Sequence, residues 1–219
     1  MHYGPVCPQP QWSSWGNDES AFLFEWDDGQ PGEDCLRVNV WTPAINDGGR
    51  RPVLVWLHGG DFSAGSGQEM KAYDGANLAQ RGDVVVVTLN HRLNVLGFLN
   101  LSEHGEKYAS SANAGMLDLV LALQWVRDNI VNFGGDPGNV TIFGYSGGGS
   151  KVLTLMAMPT ARGLFHRAVV QSADLNQGLR KISVEDSVRL ASALIAELGL
   201  NSAPIDELQR LPYQRLWTA

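Results

Sequence analysis

Short apolar runs separated by glycine, proline and polar turns divide this chain into alternating segments. Apolar runs of this length, bounded by turn residues, are typical of strands buried in a sheet. The predicted strands are Leu36–Trp41, Pro52–Leu57, Val84–Leu89, Val140–Phe143 and Ala168–Gln171. Between them, several segments place apolar residues three and four positions apart, which predicts amphipathic helices. The predicted helices are Tyr73–Arg81, Met116–Val131, Gly148–Met158 and Val184–Leu198.

Buried strands that alternate with helices indicate an α/β fold with a largely parallel central sheet. The chain has 219 residues, which is enough for one sizeable core, and we expect residues 1–219 to form one domain. Ligands of such sheets bind at the carboxyl ends of the strands. We therefore expect catalytic or binding residues in the loops that follow the predicted strands.

Composition excludes several classes of partner. The net charge is −7 and the basic residues are scattered, so no basic stripe for nucleic acid is expected. No apolar stretch approaches the roughly 20 residues of a membrane span. The start, Met1–Pro8, lacks the apolar core of a signal peptide. Neither a metal nor a cofactor is expected, and the oligomeric state cannot be predicted from these residues.

Residues 1–34 are rich in proline, glycine, tryptophan and acidic residues, and little regular structure is expected there. The chain has two cysteines, Cys7 and Cys35, which either form one disulfide or remain two free thiols. Trp12, Trp15 and Trp26 either line an acyl pocket or pack the loop down, and the second interpretation is favoured.

A Gly-x-Ser-x-Gly motif, Gly144–Gly148, directly follows the predicted strand Val140–Phe143. In a nucleophile elbow, a serine on a tight strand-to-helix turn projects its hydroxyl from the top of a sheet. The N–H groups at the start of the following helix point towards an oxyanion formed there. The motif therefore predicts that Ser146 is a nucleophile.

A second loop, His58-Gly59-Gly60-Asp61, follows the predicted strand Pro52–Leu57. Acyl transfer needs backbone N–H donors for the tetrahedral oxyanion, and glycine-rich loops of this kind supply them in serine hydrolases. His58 is a candidate base, but a role in shaping the loop is favoured because it precedes a glycine turn. Asp61 is expected to contribute its N–H alone, since a carboxylate aimed at an oxyanion would oppose it.

The glycine-rich stretch after Ser146 has a second possible interpretation, as a phosphate-binding loop. Such a loop closes on Gly-Lys followed by Ser or Thr. Here Gly149-Ser150-Lys151-Val152 places the lysine one position late, with no hydroxyl after it. Nucleotide binding is therefore disfavoured.

Several segments resemble the type-B carboxylesterase/lipase family of α/β-hydrolases. They are Glu33–Pro43, Val55–Gly60, Asn90–Phe98, Asn113–Asp118, Phe133–Gly148 and Gly163–Ser172. The resemblance implies a partial α/β-hydrolase fold, with a mostly parallel sheet flanked by helices and incomplete at both ends. It also implies a carboxylic ester hydrolase that acts on small-molecule esters through an acyl-serine intermediate.

By this resemblance Ser146 is the catalytic nucleophile, and the N–H groups of Gly60, Asp61 and Gly147 form the oxyanion hole. Cysteines at positions resembling 7 and 35 form a disulfide in many members, which would favour a secreted or periplasmic location. The sequence departs from the family at three positions. Tyr145 stands where glutamate is frequent, Gly147 where alanine is frequent, and Asp61 where a third glycine is commonest.

The rest of a catalytic triad cannot be assembled from these residues. In α/β-hydrolases the order along the chain is serine, then an acid, then histidine. His166 is the only histidine after Ser146, and no aspartate or glutamate lies between them. We expect His166 to be structural, and the chain to be part of a longer esterase that has little activity without its acid and base. The alternative is a non-catalytic adhesion or scaffold protein on the same fold.

Overall fold

A computed structural model describes residues 3–9, 27–173 and 182–218. Five strands form its central sheet: β1 (Val38–Trp41), β2 (Arg51–Leu57), β3 (Val85–Leu89), β4 (Gly135–Tyr145) and β5 (Arg167–Gln171). The α-helices are α1 (Ala76–Gly82), α2 (Asn94–Phe98), α3 (Ala114–Asn129), α4 (Gly147–Ala157), α5 (Val184–Glu197) and α6 (Tyr213–Thr218). The tryptophans considered for an acyl pocket, Trp12, Trp15 and Trp26, lie outside the described residues.

The strand order is β1-β3-β2-β4-β5. β1 pairs antiparallel with β3, whereas all other neighbours are parallel. The predicted mostly parallel α/β sheet is therefore confirmed. Four predicted strands agree with the structure within two residues, but β4 begins five residues early, at Gly135. The register shifts between Arg51 and Val53, and this irregularity lets the first residues of β4 continue the pairing with β2.

The main core lies between the sheet and helices α3 and α4. Its strand side is made of fully buried aliphatic residues, and the helices contribute leucines and valines from one face. Members include Val53, Val55, Val85, Val87, Leu119, Leu123, Val140, Ile142, Val152 and Leu155. Each such side chain stabilises the fold by roughly 1.5–3 kcal/mol when it is removed from water. The apolar run of β3 is buried along its whole length, whereas β4 alternates between buried and more accessible positions and β5 is largely exposed.

Helices match their predicted positions with small shifts. α3 and α4 each begin one or two residues earlier than predicted, and α5 runs from Val184 to Glu197. The Ser183 side chain caps α5 by accepting a hydrogen bond of 3.0 Å from the Asp186 amide. Short helices α2 and α6 were not predicted, because five or six residues give too little periodicity. In the described ranges, no helix is long and apolar enough to cross a bilayer.

The sheet brings the two predicted functional loops to one edge. β2 ends at Leu57, which pairs with Gly144 of β4. The loop that begins at His58 and the turn at Ser146 therefore leave neighbouring parallel strands at nearly the same level. Their meeting follows from the strand register alone.

Candidate active site

Ser146 occupies a strained turn between β4 and α4. Its φ of 55° and ψ of −123° lie in a region that costs a non-glycine residue about 1–3 kcal/mol. The flanking glycines make the turn possible. A Cβ on Gly148 would lie 2.0 Å from the Leu57 carbonyl oxygen, and one on Gly144 would lie 2.5 Å from the Gly148 carbonyl carbon. The sharp turn predicted from the motif is therefore present.

Backbone hydrogen bonds hold Ser146 on both sides. Its amide donates to the Gln171 carbonyl of β5 over 2.9 Å, and its carbonyl accepts from the Ser150 amide over 3.2 Å. Its hydroxyl forms no hydrogen bond with any of the described residues, and the residue is half-buried. The backbone of Ser146 is thus fixed, and its hydroxyl has no general base beside it among the described residues.

The glycine loop after β2 forms a tight turn in left-handed backbone conformations. Gly60 has a φ of 74° and Asp61 a φ of 52°. The Gly60 carbonyl accepts hydrogen bonds from the amides of Ser63 (3.3 Å) and Ala64 (3.1 Å). A Cβ at Gly60 would lie 2.3 Å from the Ala64 carbonyl oxygen, so this position needs glycine.

The loop and the elbow are in direct contact. A Cβ on Gly147 would lie 2.3 Å from the backbone nitrogen of Asp61, and one on Gly59 would lie 3.5 Å from the Tyr145 carbonyl oxygen. Within the described residues, the amides of Gly60, Asp61 and Gly147 donate no hydrogen bond. Unpaired N–H groups next to a strained serine are the arrangement that an oxyanion requires. The three predicted donors are therefore brought together, with the Asp61 side chain exposed.

Two buried histidines lie beneath the glycine loop. The rings of His58 and His91 stack with centroids 5.0 Å apart. His58 Nδ1 donates to the Gly59 carbonyl over 2.9 Å, and His91 Nδ1 donates to the Arg92 carbonyl over 2.8 Å. Burial, followed by the charge of Lys151, lowers the pKa of both rings well below the usual value. Both are neutral, and His58 shapes the loop, as favoured from the sequence.

Lys151, which the sequence analysis considered only in rejecting a phosphate-binding loop, completes this cluster. Lys151 of α4 is fully buried, and its Nζ donates to the carbonyl oxygens of His58 (3.0 Å) and Gly59 (3.3 Å). Burial lowers its pKa to about 7, against the opposing influence of Glu69 and Asp61. The helical spacing could have predicted its burial, because Lys151 lies on the same helix face as Gly148, Val152 and Leu155, which are buried.

His166 is far from Ser146. Its Nδ1 accepts a hydrogen bond of 3.1 Å from the Val140 amide, near the start of the paired part of β4. Ser146 follows the end of that strand, about 20 Å away at the usual rise per residue. The structural role expected for His166 is confirmed by this position.

The two cysteines lie together in a small buried cluster with Leu93, whose amide donates to Cys7 Sγ over 3.2 Å. Both are free thiols here. A hydrogen bond with Cys35, together with burial, raises the pKa of Cys7. The disulfide remains a prediction. Among residues 3–9, 27–173 and 182–218, no group of three or more histidines, cysteines, aspartates or glutamates is arranged to hold a metal ion.

Comparison with known proteins gives a consistent result. The sequence model of the Carboxylesterase family matches residues 1–219. Para-nitrobenzyl esterase of Bacillus subtilis (strain 168) is 43% identical over 99% of this chain, and phenmedipham hydrolase of Pseudarthrobacter oxydans is 41% identical over 98%. Among solved structures, an esterase of Clostridium hathewayi, described as able to hydrolyse aliphatic aromatic polyesters, is 49% identical over 99% of the chain, with a TM-score of 0.91.

The chain accounts for a minor part of each of these relatives. It spans 41% of the Bacillus enzyme, 40% of the Pseudarthrobacter enzyme and 42% of the Clostridium structure. The matched part contains both loops that meet at Ser146.

Proposed function

This chain belongs to the carboxylesterase family, and from that premise we propose that it supplies the nucleophile and the oxyanion hole of a carboxylic ester hydrolase. Ser146 is the nucleophile, and the amides of Gly60, Asp61 and Gly147 bind the oxyanion. The observation that carries the proposal is the contact between Gly147 and the Asp61 amide, directly beside a strained serine.

The proposed reaction has two halves. Ser146 Oγ attacks the ester carbonyl carbon while a base takes its proton, and the carbonyl oxygen becomes an oxyanion held by the three amides. The intermediate collapses, the alcohol leaves with the proton, and an acyl-serine remains. Water then attacks the acyl carbon through a second tetrahedral intermediate, which releases the carboxylic acid and restores Ser146.

Each N–H of the proposed oxyanion hole belongs to a peptide unit whose carbonyl oxygen, which points the opposite way in the same plane, is itself hydrogen-bonded. The carbonyl paired with the Gly60 amide is that of Gly59, which His58 and Lys151 bind. The carbonyl paired with the Asp61 amide is that of Gly60, which accepts from the Ser63 and Ala64 amides. The carbonyl paired with the Gly147 amide is that of Ser146, which accepts from the Ser150 amide. Donors held in this way need no rearrangement when charge develops, and this is the property that lowers the barrier.

A general base for Ser146 is absent from the described residues. The two buried histidines are bonded to backbone carbonyls, and His166 lies at the other end of the sheet. We therefore propose that hydrolysis belongs to a longer polypeptide that contains residues 1–219 and adds an acid and a histidine. Residues 1–219 alone have little or no turnover, because positioned proton transfer contributes about 10²–10⁴-fold.

A small-molecule ester is the proposed substrate, and the name of the Bacillus relative suggests nitrobenzyl esters as test compounds. p-Nitrophenyl acetate is a simple chromogenic ester for the same purpose. An adhesion or scaffold protein has no use for a strained serine beside three unpaired amides, so this geometry favours the enzyme.

Two measurements test the proposal. Sequencing the DNA on both sides of the coding region should reveal a downstream acid and histidine, and a continuous frame that lacks either contradicts an esterase. The longer polypeptide should hydrolyse p-nitrophenyl acetate, and Ser146→Ala should abolish this. Ser110→Ala, at an exposed serine, is the matched control and should retain the wild-type rate. Equal rates for wild type and Ser146→Ala would refute the role of Ser146.

A further inference from the structure

A lysine side chain without solvent-accessible surface lies under the glycine loop. Lys151 is fully buried, on the face of α4 that packs against the core. Burying an amine is costly unless its hydrogens find acceptors. Lys151 finds two such acceptors, the consecutive carbonyl oxygens of His58 and Gly59.

The second of these carbonyls belongs to a peptide unit of the proposed oxyanion hole. A trans peptide is planar, so the C=O of Gly59 and the N–H of Gly60 point in opposite directions. Lys151 Nζ lies 3.3 Å from that oxygen, and His58 Nδ1 lies 2.9 Å from it. These two donors hold the Gly59 oxygen from the protein interior. They therefore fix the direction of the Gly60 N–H, which points the other way.

We propose that Lys151 is a positioning residue, which holds the Gly59–Gly60 peptide so that the Gly60 N–H points at the oxyanion. The inference rests on the proposed function, since it concerns the same oxyanion hole. Lys151 acts through the peptide and does not touch the substrate. Its ammonium also draws electrons towards the Gly59 oxygen, which makes the Gly60 N–H a stronger donor.

Several titratable groups face Lys151. Glu69 is buried, accepts hydrogen bonds from Tyr73 (3.1 Å) and the Ser66 amide (3.1 Å), and attracts the ammonium, as does Asp61. On the other side, His58 and His91 are neutral. An ammonium carries three hydrogens and a neutral amine two, so both states of Lys151 can serve two carbonyls.

A different role for Lys151, as the base that activates Ser146, is disfavoured by the same contacts. The Nζ hydrogens point to backbone carbonyls, and no hydrogen bond joins Nζ to the Ser146 hydroxyl. A base must reach the proton it abstracts directly or through one water.

The test uses three variants of the longer polypeptide. Lys151→Met fills the same space without a donor, Lys151→Gln keeps an N–H donor, and Lys107→Met is a control at an exposed lysine. kcat and KM are measured with p-nitrophenyl acetate, and Ki with a trifluoromethyl ketone that forms an oxyanion on the serine. Because one donor is misdirected and not lost, we expect Lys151→Met to lower kcat about 10- to 100-fold with KM within about twofold.

In Lys151→Met, the affinity for the ketone should fall in parallel with kcat/KM. Lys151→Gln should recover part of both losses, and Lys107→Met should match wild type. A folded Lys151→Met or Lys151→Gln variant with wild-type kcat and ketone affinity overturns the positioning role. A wild-type polypeptide without hydrolysis overturns the proposed function instead, so the two failures are distinct.

A measurement on the unmutated chain covers the case in which neither variant folds. The NMR signals of the Gly60 amide and of Lys151 Cε are followed with pH. Since the charge of Lys151 acts on the Gly59 carbonyl, both signals should move with one midpoint near 7. A Gly60 amide that does not follow the Lys151 titration overturns the proposal.

Discussion

A methyl group on Gly147 would lie 2.3 Å from the backbone nitrogen of Asp61 and equally close to its Cα. No real Cβ contact is that short, and the atoms it would meet are backbone atoms, which cannot swing away. The first residue of α4 and the glycine loop are therefore in tight contact at this point. Glycine at position 147 is what permits their approach.

Gly147→Ala should disturb catalysis more than stability. The loop must shift by the order of an ångström to admit the methyl group, and such a displacement of catalytic groups costs about 10²-fold in rate. We expect kcat of the longer polypeptide to fall about 10- to 100-fold with little change in KM. Adding Asp61→Gly, which frees the loop backbone at a φ of 52°, should restore part of the loss.

The control for this substitution is Gly82→Ala. Gly82 ends α1, and the nearest atom to a Cβ there is 3.5 Å away. The kcat of Gly82→Ala should match that of the wild type. If Gly147→Ala has wild-type kcat, catalysis does not depend on the contact between Gly147 and the glycine loop.

Backbone strain at Ser146 should be visible in stability measurements. Alanine keeps the cost of the positive φ, whereas glycine removes it, so Ser146→Gly should be more stable than Ser146→Ala by about 1 kcal/mol. Ser192 is an exposed position inside α5, where alanine is favoured over glycine. Ser192→Ala should therefore be more stable than Ser192→Gly by about 1 kcal/mol. Urea unfolding of the four variants checks both differences. An alanine variant at 146 that is at least as stable as the glycine variant would show that the turn stores no strain.

The buried histidines should make stability depend on pH. Their folded-state pKa values are depressed, so an unfolded chain binds protons below about pH 6.5 that the native chain does not bind. The contribution of the two neutral rings to the free energy of unfolding is fully present above this pH. It is lost as the pH falls, by about 1.4 kcal/mol per pH unit for each ring.

His91→Gln should therefore flatten the decline between about pH 6.5 and 5 by about 1.4 kcal/mol per pH unit. The measurement is the free energy of unfolding in urea across this range. His104→Gln, at an exposed histidine outside the cluster, is the control and should keep the wild-type slope. An unchanged slope in His91→Gln would mean that His91 is charged in the native state.

The fold was largely predictable, because buried parallel strands leave a strong signal in single apolar runs. Two features of the fold left no such signal in the sequence. The direction of β1 depends on its partner β3 and not on its own residues. The early start of β4 at Gly135 depends on a register shift opposite Arg51–Val53, which local propensity does not encode.

At the candidate site, motifs identified the serine and the glycine loop that meet there but missed the buried groups behind them. Ser146 and the glycine loop stand out because glycine spacing reports backbone conformation. Lys151 does not stand out, since a lone lysine on a helix is usually solvated. Its contact with the Gly59 carbonyl arises only when β2 and α4 pack together.

Residues 1–219 on their own should react slowly with an organophosphonate. Ser146 has no base among the described residues, so its hydroxyl is a poor nucleophile. We expect labelling of this chain to be at least about 10²-fold slower than labelling of the longer polypeptide. Rates followed by intact mass spectrometry compare the two. Rapid stoichiometric labelling of the 219-residue chain would contradict the proposed need for a base outside it.

Whether Ser146 is the nucleophile is tested most directly by locating the adduct. The longer polypeptide is treated with a fluorophosphonate, digested, and analysed by peptide mass spectrometry while residual ester hydrolysis is recorded. One label per chain on Ser146, with hydrolysis lost in proportion to labelling, is the predicted result. A label on another residue, or full hydrolysis by protein whose Ser146 is labelled, would contradict it.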